Sequence, residues 1–338
     1  MNMKARISAV TYYLPEGELS NADIVKDFPE WTVDKISSKT GIHNRHIAGP
    51  DEFSSDLAVK AAEKVFRDFS IAPESIEFVI LCTQSPDYYL PSTACIVQDR
   101  LGISTDAGAT DITLGCSGYI YALGLAKGLI ETGQVKNVLV LTADTYSKFI
   151  NPADKSVRTI FGDGASATLV AGDSDAEAIS AITYGTDGSG ARNLIVPSGG
   201  LRQGDGMSPR SKVEVRNLEA SGYDLFMDGP EIFNFTIKVV PDSVEKILAK
   251  AELKQDQIDL FVFHQANQFM LEHLRKRIGI PAEKFFVSLE SSGNTVSSTI
   301  PIALAEAVKQ GALRPGMRVM LLGFGVGLSW GGLILEWQ

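Results

Sequence analysis

Cysteine is scarce in this sequence. Three occur in 338 residues, Cys82, Cys95 and Cys116. They are odd in number and widely spaced, and no Cys-x-x-Cys pair is present. A disulfide framework is therefore excluded, and a reducing compartment is expected. Positive charge is also in deficit: 31 Lys and Arg stand against 41 Asp and Glu, a formal charge of −10. That balance argues against general nucleic-acid binding, and an acidic partner would need a local basic patch. No run of about 20 apolar residues exists, so no membrane span is expected. Met1 to Val10 lacks the apolar stretch of a secretory leader. The expected location is cytoplasmic. Histidine is limited to His43, His46, His264 and His273. His43 and His46 form a His-x-x-His spacing without partner carboxylates or thiols, so no metal site is expected, and no cofactor.

What is present reads as an ordinary globular chain, 44% hydrophobic and 21% charged, with no low-complexity segment. Short apolar runs at Phe78–Leu81, Val138–Leu141, Leu260–Phe263 and Val319–Leu322 have the look of buried strands. Helical patterns at Ser117–Glu131 and Ile302–Gln310 alternate with them. This predicts an α/β fold with mostly parallel strands. A weak internal repeat accompanies it. Ser75–Leu81 reads like Gln257–Phe263. Gly115-Cys116-Ser117 and Gly293-Asn294-Thr295 each precede a helix, and those helices end near Gly133 and Gly311. Both offsets are the same, 294 − 116 = 178 and 311 − 133 = 178. Two similar halves dividing near residues 170 to 180 are one reading. The loose self-similarity of any α/β chain is the other.

Cys116 lies where an apolar strand, a glycine and a helix start meet, in Leu114-Gly-Cys-Ser-Gly118. A thiol there faces the positive end of the helix dipole and unpaired N–H groups. That environment is expected to lower its pKa and to stabilise an oxyanion on an acyl group attached to it. The commoner fate of a cysteine is burial in packing, which suits Cys82 and Cys95. His264 follows an apolar strand in Phe261-Val-Phe-His-Gln-Ala-Asn267, and the carboxyl ends of α/β strands are where sites gather. His273 falls in a charged helix and reads as surface. Asn294 alone would be a turn and a helix cap, but the repeat puts it in the slot that Cys116 fills in the other half. A nucleophile and two polar groups could then face one acyl carbonyl. The glycine run from Gly323 to Gly332 is not a nucleotide loop, since no βαβ unit follows it. It reads as a tight turn bringing backbone N–H groups to the site.

Together, Gly-Cys-Ser-Gly at 115–118, Phe-Gly-Asp-Gly-Ala at 161–165, His-Gln-Ala-Asn at 264–267, Gly-Asn-Thr at 293–295, the Gly-Phe-Gly-x-Gly-x-x-Trp-Gly run from 323 and Lys39-Thr-Gly-Ile-x-x-Arg-His46 resemble the β-ketoacyl-ACP synthase III family (ACP, acyl carrier protein). The resemblance implies a thiolase-like fold of two duplicated α/β halves in a five-layered αβαβα arrangement. Residues 1–175 would carry the nucleophilic Cys, and residues 176–338 the His and Asn. It also implies a homodimer. Thiolases pair Cys and His with a second Cys, and elongating synthases use two His; Asn294 fits synthase III and the chalcone-synthase group.

By this resemblance Cys116, His264 and Asn294 are the catalytic residues. Cys116 takes an acyl group from acyl-CoA or acyl-ACP. Malonyl-ACP then loses CO2, and its enolate attacks the acyl-Cys carbonyl to give 3-oxoacyl-ACP. The N–H groups of Cys116 and Val326 would form an oxyanion hole, with Phe324 as the gating aromatic. Acyl-tunnel positions map to Tyr146, Phe161, Leu225 and Met227, and Leu90 resembles a loop residue that caps the partner's tunnel. Lys39, Lys155 and Asn267 fall at CoA and pantetheine positions. Arg275, Lys276 and Arg277 offer a basic patch for ACP docking, or simply a solvated charged face. The rim departs from the family pattern. Lys35 stands where a Trp stacks on the CoA adenine, and the chain's own Trp31 lies four positions earlier. Lys39 replaces an Arg, a change that is not conservative at a stacked or bidentate site. The alternative is a divergent acyltransferase of secondary or surface-glycan metabolism, moving the acyl group to a different acceptor.

Overall fold

Nearly continuous apolar runs such as Phe78–Cys82 bury both faces of a strand and call for helices on either side. The computed structural model describes residues 3–173, 177–201 and 222–338. The chain runs β1 (Lys4–Tyr13), β2 (Gly17–Ser20), α1 (Asn21–Asp27), α2 (Val33–Thr40), β3 (Asn44–Ile47), α3 (Ser54–Phe69), β4 (Phe78–Cys82), α4 (Thr93–Arg100), β5 (Gly108–Ile112), α5 (Gly118–Glu131), β6 (Asn137–Asp144), α6 (Lys155–Arg158) and β7 (Gly164–Asp173). It continues β8 (Ile179–Thr186), β9 (Leu194–Ile195), β10 (Phe226–Met227), α7 (Gly229–Ala251), β11 (Leu260–Phe263), α8 (Gln268–Ile278), α9 (Thr299–Lys309), β12 (Arg318–Gly325) and β13 (Ser329–Glu336).

Two main sheets result, ordered β1-β7-β6-β4-β5 and β11-β12-β13-β8. Read from the other end, the second has β8, β13, β12 and β11 in the places of β1, β7, β6 and β4. The pairing senses agree as well: β4 with β6 and β11 with β12 are parallel, and the next two pairings in each sheet are antiparallel. The expectation of mostly parallel strands is therefore corrected. Each sheet is parallel on one side and antiparallel on the other, because hairpin-like returns (β12 to β13) add antiparallel strands to a short parallel core. The expected division at residues 175 and 176 falls at 174–176, outside the described residues.

Helix α3 packs on β1, β6 and β7, while α7 packs on β8, β12 and β13 with α8 against it. Between the sheets lie α5 and α9, giving five layers. Helix α5 touches strands of both sheets. Its Tyr119, Ile120, Leu123 and Ile130 are fully buried and share one core with Ile300 and Leu304 of α9, as expected of a helix apolar on most sides. Residue 118 must be glycine: a Cβ there would run into Cys82 Sγ beneath the helix start. Cys82 is buried as expected, whereas Cys95 is exposed, because its face of α4 turns outward.

Candidate active site

The starts of the two central helices bring the sequence candidates together. Cys116 precedes α5 by two residues. Asn294 precedes by two residues a 3-10 turn, Val296–Ser298, that runs into α9. His264 immediately follows β11, its N–H donating to Leu322 O at 2.8 Å. Cys116, His264, Asn294 and Phe324 line one cavity of about 170 Å³, and all four are nearly fully buried. Strand β12 passes directly beside the nucleophile. A Cβ on Gly325 would lie 2.9 Å from Cys116 Sγ, which explains the glycine at 325.

The backbone N–H groups of Cys116 and Val326 both favour negative charge on the sulfur. Burial and the nearby Asp144 nevertheless push the thiol up to about 12. The expectation of a lowered thiol pKa at this helix start is corrected: desolvation outweighs the N–H groups. Burial lowers His264 to about 3. The resting pair is thus a thiol and a neutral imidazole.

Each polar side chain is held by a partner. His264 Nδ1 lies 2.7 Å from Thr299 Oγ1, at the first turn of α9. The same hydroxyl is 3.1 Å from Val296 O. The His264 ring stands edge-on to Phe324 at 5.4 Å. Asn294 Oδ1 accepts the Val296 N–H, so its NH2 is the end left for a ligand. Beneath them Asp144 ties β6 to the α9 turn, accepting from Gln84 N–H at 2.8 Å, from Ser297 N–H at 3.2 Å and from the Ser297 hydroxyl. Arg45 is fully buried and bonds Asn21 Oδ1 at 2.6 Å and Thr159 O. It braces the loops that carry Phe161 and Asn294, whose backbones pair with each other.

The remaining candidates fall into separate groups. Tyr146, Phe161 and Leu225 are buried in one cluster with Cys116, and Met227 packs against it. Leu90 is 83% exposed on a loop with Tyr88 and Tyr89, away from that cluster. Lys39 and Lys155 meet at Trp31, 5.6 and 5.4 Å from its ring, with Lys35 at 5.0 Å. The displaced tryptophan is thus brought into a cluster of lysines, with Lys155 also paired to Glu30. Asn267 lines the cavity and caps α8 by accepting the Met270 N–H at 2.9 Å. In the basic run, Arg275 is engaged by Glu272 and by Ile280 O, and Lys276 also reaches Glu272. Lys276 and Arg277 are exposed. His273 is half-buried, edge-on to Phe233 at 5.3 Å, rather than a plain surface residue.

Sequence reasoning did not pick out Thr299, Asp144 or Gln84. Asp144 carried a readable signal, a carboxylate closing an apolar strand. Thr299 and Gln84 carried none, since only the fold sets them beside His264 and Tyr146.

Comparison with known proteins agrees with this geometry. Residues 110–188 match the family model for 3-oxoacyl-[acyl-carrier-protein (ACP)] synthase III, and residues 248–337 match that for its C-terminal part. The β-ketoacyl-[acyl-carrier-protein] synthase III of Clostridioides difficile is 39% identical over 340 residues, covering 100% of this chain and 99% of its own. That of Caldanaerobacter subterraneus subsp. tengcongensis is 38% identical, covering 96% of each. A crystal structure of a 3-oxoacyl-(acyl-carrier-protein) synthase III superposes with a TM-score of 0.93 at 49% identity, covering 99% of this chain and 100% of that one. With full-length similarity of this kind, and with Cys, His and Asn on one buried cavity, the chain belongs to the β-ketoacyl-ACP synthase III family.

Proposed function

We propose that the chain loads an acyl group onto Cys116 and condenses it with malonyl-ACP, with His264 and Asn294 as the other catalytic residues. It is an acyl-transferring condensing enzyme of the synthase III type. The observation that carries the residue roles is that three side chains, from positions 116, 264 and 294, line one small buried cavity.

A protonated thiol and a neutral imidazole set the order of proton movements. His264 Nε2 takes the thiol proton as the sulfur attacks the acyl-CoA carbonyl, and returns it to the departing CoA sulfur. The N–H groups of Cys116 and Val326 hold the oxyanion. Malonyl-ACP then enters past Phe324. His264 and Asn294 donate to its thioester oxygen while CO2 leaves, and the enolate carbon attacks the acyl-Cys carbonyl. Cys116 departs as the thiolate, a proton taken up from water restores the thiol, and 3-oxoacyl-ACP is released. Loading needs a lone pair on Nε2 and condensation needs a proton there. The Thr299 hydroxyl can serve Nδ1 as either acceptor or donor, so it suits both tautomers.

The Trp31 ring with Lys35, Lys39 and Lys155 suits the anionic, aromatic end of acyl-CoA, with Asn267 nearer the pantetheine thiol. Lys276 and Arg277 suit an acidic ACP. Tyr146, Phe161, Leu225 and Met227 line the acyl site. A homodimer is supported by β5, an edge strand, and by the exposed Tyr88, Tyr89 and Leu90 beside it; edges and apolar patches of this kind ask to be covered. Leu90 would then reach the partner's site. Two halves, 1–175 and 176–338, fit the matching strand orders. Among the described residues no helix is long and apolar enough to cross a membrane, and a cytoplasmic location fits the soluble substrates.

The test is intact-mass analysis after incubation with a panel of acyl-CoA and acyl-ACP donors, with Cys116→Ala as control, followed by malonyl-ACP. The expected result is a mass gain that Cys116→Ala lacks, then CO2 release. A loaded enzyme that ignores malonyl-ACP would point to a different acceptor. No loading by any donor would overturn the proposal.

A further inference from the structure

Phe161 lines the open space beside Cys116. Phe161 also borders a second cavity of about 450 Å³, lined by Leu19, Ala48 and Ile150 as well. Phe161 is thus the residue common to the nucleophile's cavity and a larger space. Phe161 packs on Tyr146, ring centres 5.2 Å apart, and Tyr146 packs edge-on to Phe149 at 6.0 Å. Tyr146 is 4% exposed, and a buried phenol needs a hydrogen-bond partner. It has one: its hydroxyl donates to Gln84 Oε1 at 2.6 Å. Gln84 is fixed in turn. Its backbone N–H donates to Asp144, and its carboxamide lies against Gly115, where a Cβ would run into Oε1 and would come within 2.8 Å of Val326 Cγ1. Gly115, the residue before the nucleophile, thus has both the Gln84 side chain and Val326 against it, and the same glutamine holds Tyr146.

We infer that Gln84 is a specificity-determining residue: its side-chain carbonyl pins Tyr146 behind Phe161 as the end wall of the acyl cavity, confining Cys116 to short acyl groups. This rests on the acyl-enzyme reading above. With the latch intact, Tyr146 cannot turn without abandoning its hydrogen bond to Gln84 in a buried site. With the latch removed, the Tyr146–Phe161 pair can shift, the two cavities become continuous, and a longer chain fits.

The test compares wild type, Gln84→Met, Tyr146→Phe and the double variant. Gln84→Met keeps length and removes the acceptor; Tyr146→Phe keeps the ring and removes the donor. Initial rates of Cys116 loading from acetyl-CoA and octanoyl-CoA are read by intact mass. The octanoyl-to-acetyl ratio is expected to rise at least tenfold in each single variant, and no further in the double variant, because both break the same bond. An unchanged ratio in Gln84→Met, or single effects that multiply, would overturn the inference. A wild-type protein that loads neither donor would overturn the acyl-enzyme reading instead. The latch is then decided separately by crystal structures of wild type and Gln84→Met: a displaced Tyr146 ring supports it, and an unmoved ring sinks it.

Discussion

Asn294 Oδ1 accepts the backbone N–H of Val296 at 2.9 Å. Val296 has φ +55°, a left-handed conformation that a β-branched residue adopts only when its surroundings impose it. The hydrogen bond and the full burial of Val296 hold that turn, and the turn fixes which end of the Asn294 amide meets a ligand.

Replacing Asn294 with Asp keeps the acceptor for Val296 and loses the donor. A carboxylate would also repel the enolate. CO2 release from malonyl-ACP should fall about 10²- to 10³-fold, the usual cost of one oxyanion donor. Loading of Cys116 should fall less than about tenfold. Measuring both half-reactions separately checks this. An equal loss in both would mean that Asn294 acts in some other way.

Thr299 gives a different signature. Thr299→Val would leave His264 Nδ1 buried without a partner, a cost of about 1–3 kcal/mol. A drop in kcat of about 10- to 100-fold is expected, with Thr299→Ser within about threefold of wild type. A purely structural role would not alter the imidazole itself. The ¹⁵N shifts of the His264 ring should therefore change in Thr299→Val and stay put in Thr299→Ser.

The fold and the three central side chains were legible in the sequence because each sits at a recognisable punctuation point. Cys116 and Asn294 stand at glycine-marked helix starts, and His264 at the end of an apolar run. Strand sense was not legible: Val138–Leu141 and Leu333–Leu335 are equally apolar, yet β6 has a parallel neighbour on one side and β13 has none. Nor was the ionisation of Cys116. The helix start is visible in sequence, but the burial and the Asp144 charge that override it come from segments remote in the chain, β12 among them. Trp31 shows the same limit, since its lysine neighbours include Lys155, more than a hundred residues away.

The neutral Cys116–His264 pair predicts sluggish alkylation. With the thiol pushed up to about 12 and the imidazole down to about 3, the free enzyme holds almost no thiolate at pH 7. The iodoacetamide rate at Cys116, followed by peptide mass analysis, should be well below that of the exposed Cys95 and should keep rising beyond pH 9. A plateau between pH 6 and 8 would reveal a thiolate–imidazolium pair and contradict the burial argument.

Asp144 makes the last prediction, one of stability. Burial raises its carboxyl from 3.8 to about 7 despite hydrogen bonds from Ser297 and Gln84 that favour the anion. Between those two values the native protein keeps a proton that the unfolded chain has lost. The native state thus binds more protons, and stability must fall as pH rises. The contribution is fully present below about pH 4 and is gone once pH passes the folded value near 7. About three pKa units correspond to roughly 4 kcal/mol. Asp144→Asn cannot titrate. It will carry a constant cost, because an amide cannot accept all the donors that the carboxylate accepts, but no slope of its own. Urea unfolding of both proteins from pH 4 to 8 should show wild type losing stability relative to Asp144→Asn by a few kcal/mol across pH 4 to 7, with the two curves parallel above that. Curves that stay parallel from pH 4 upward would mean that Asp144 is already ionised in the native protein at acid pH. The field that its charge exerts on Cys116 would then persist throughout the range.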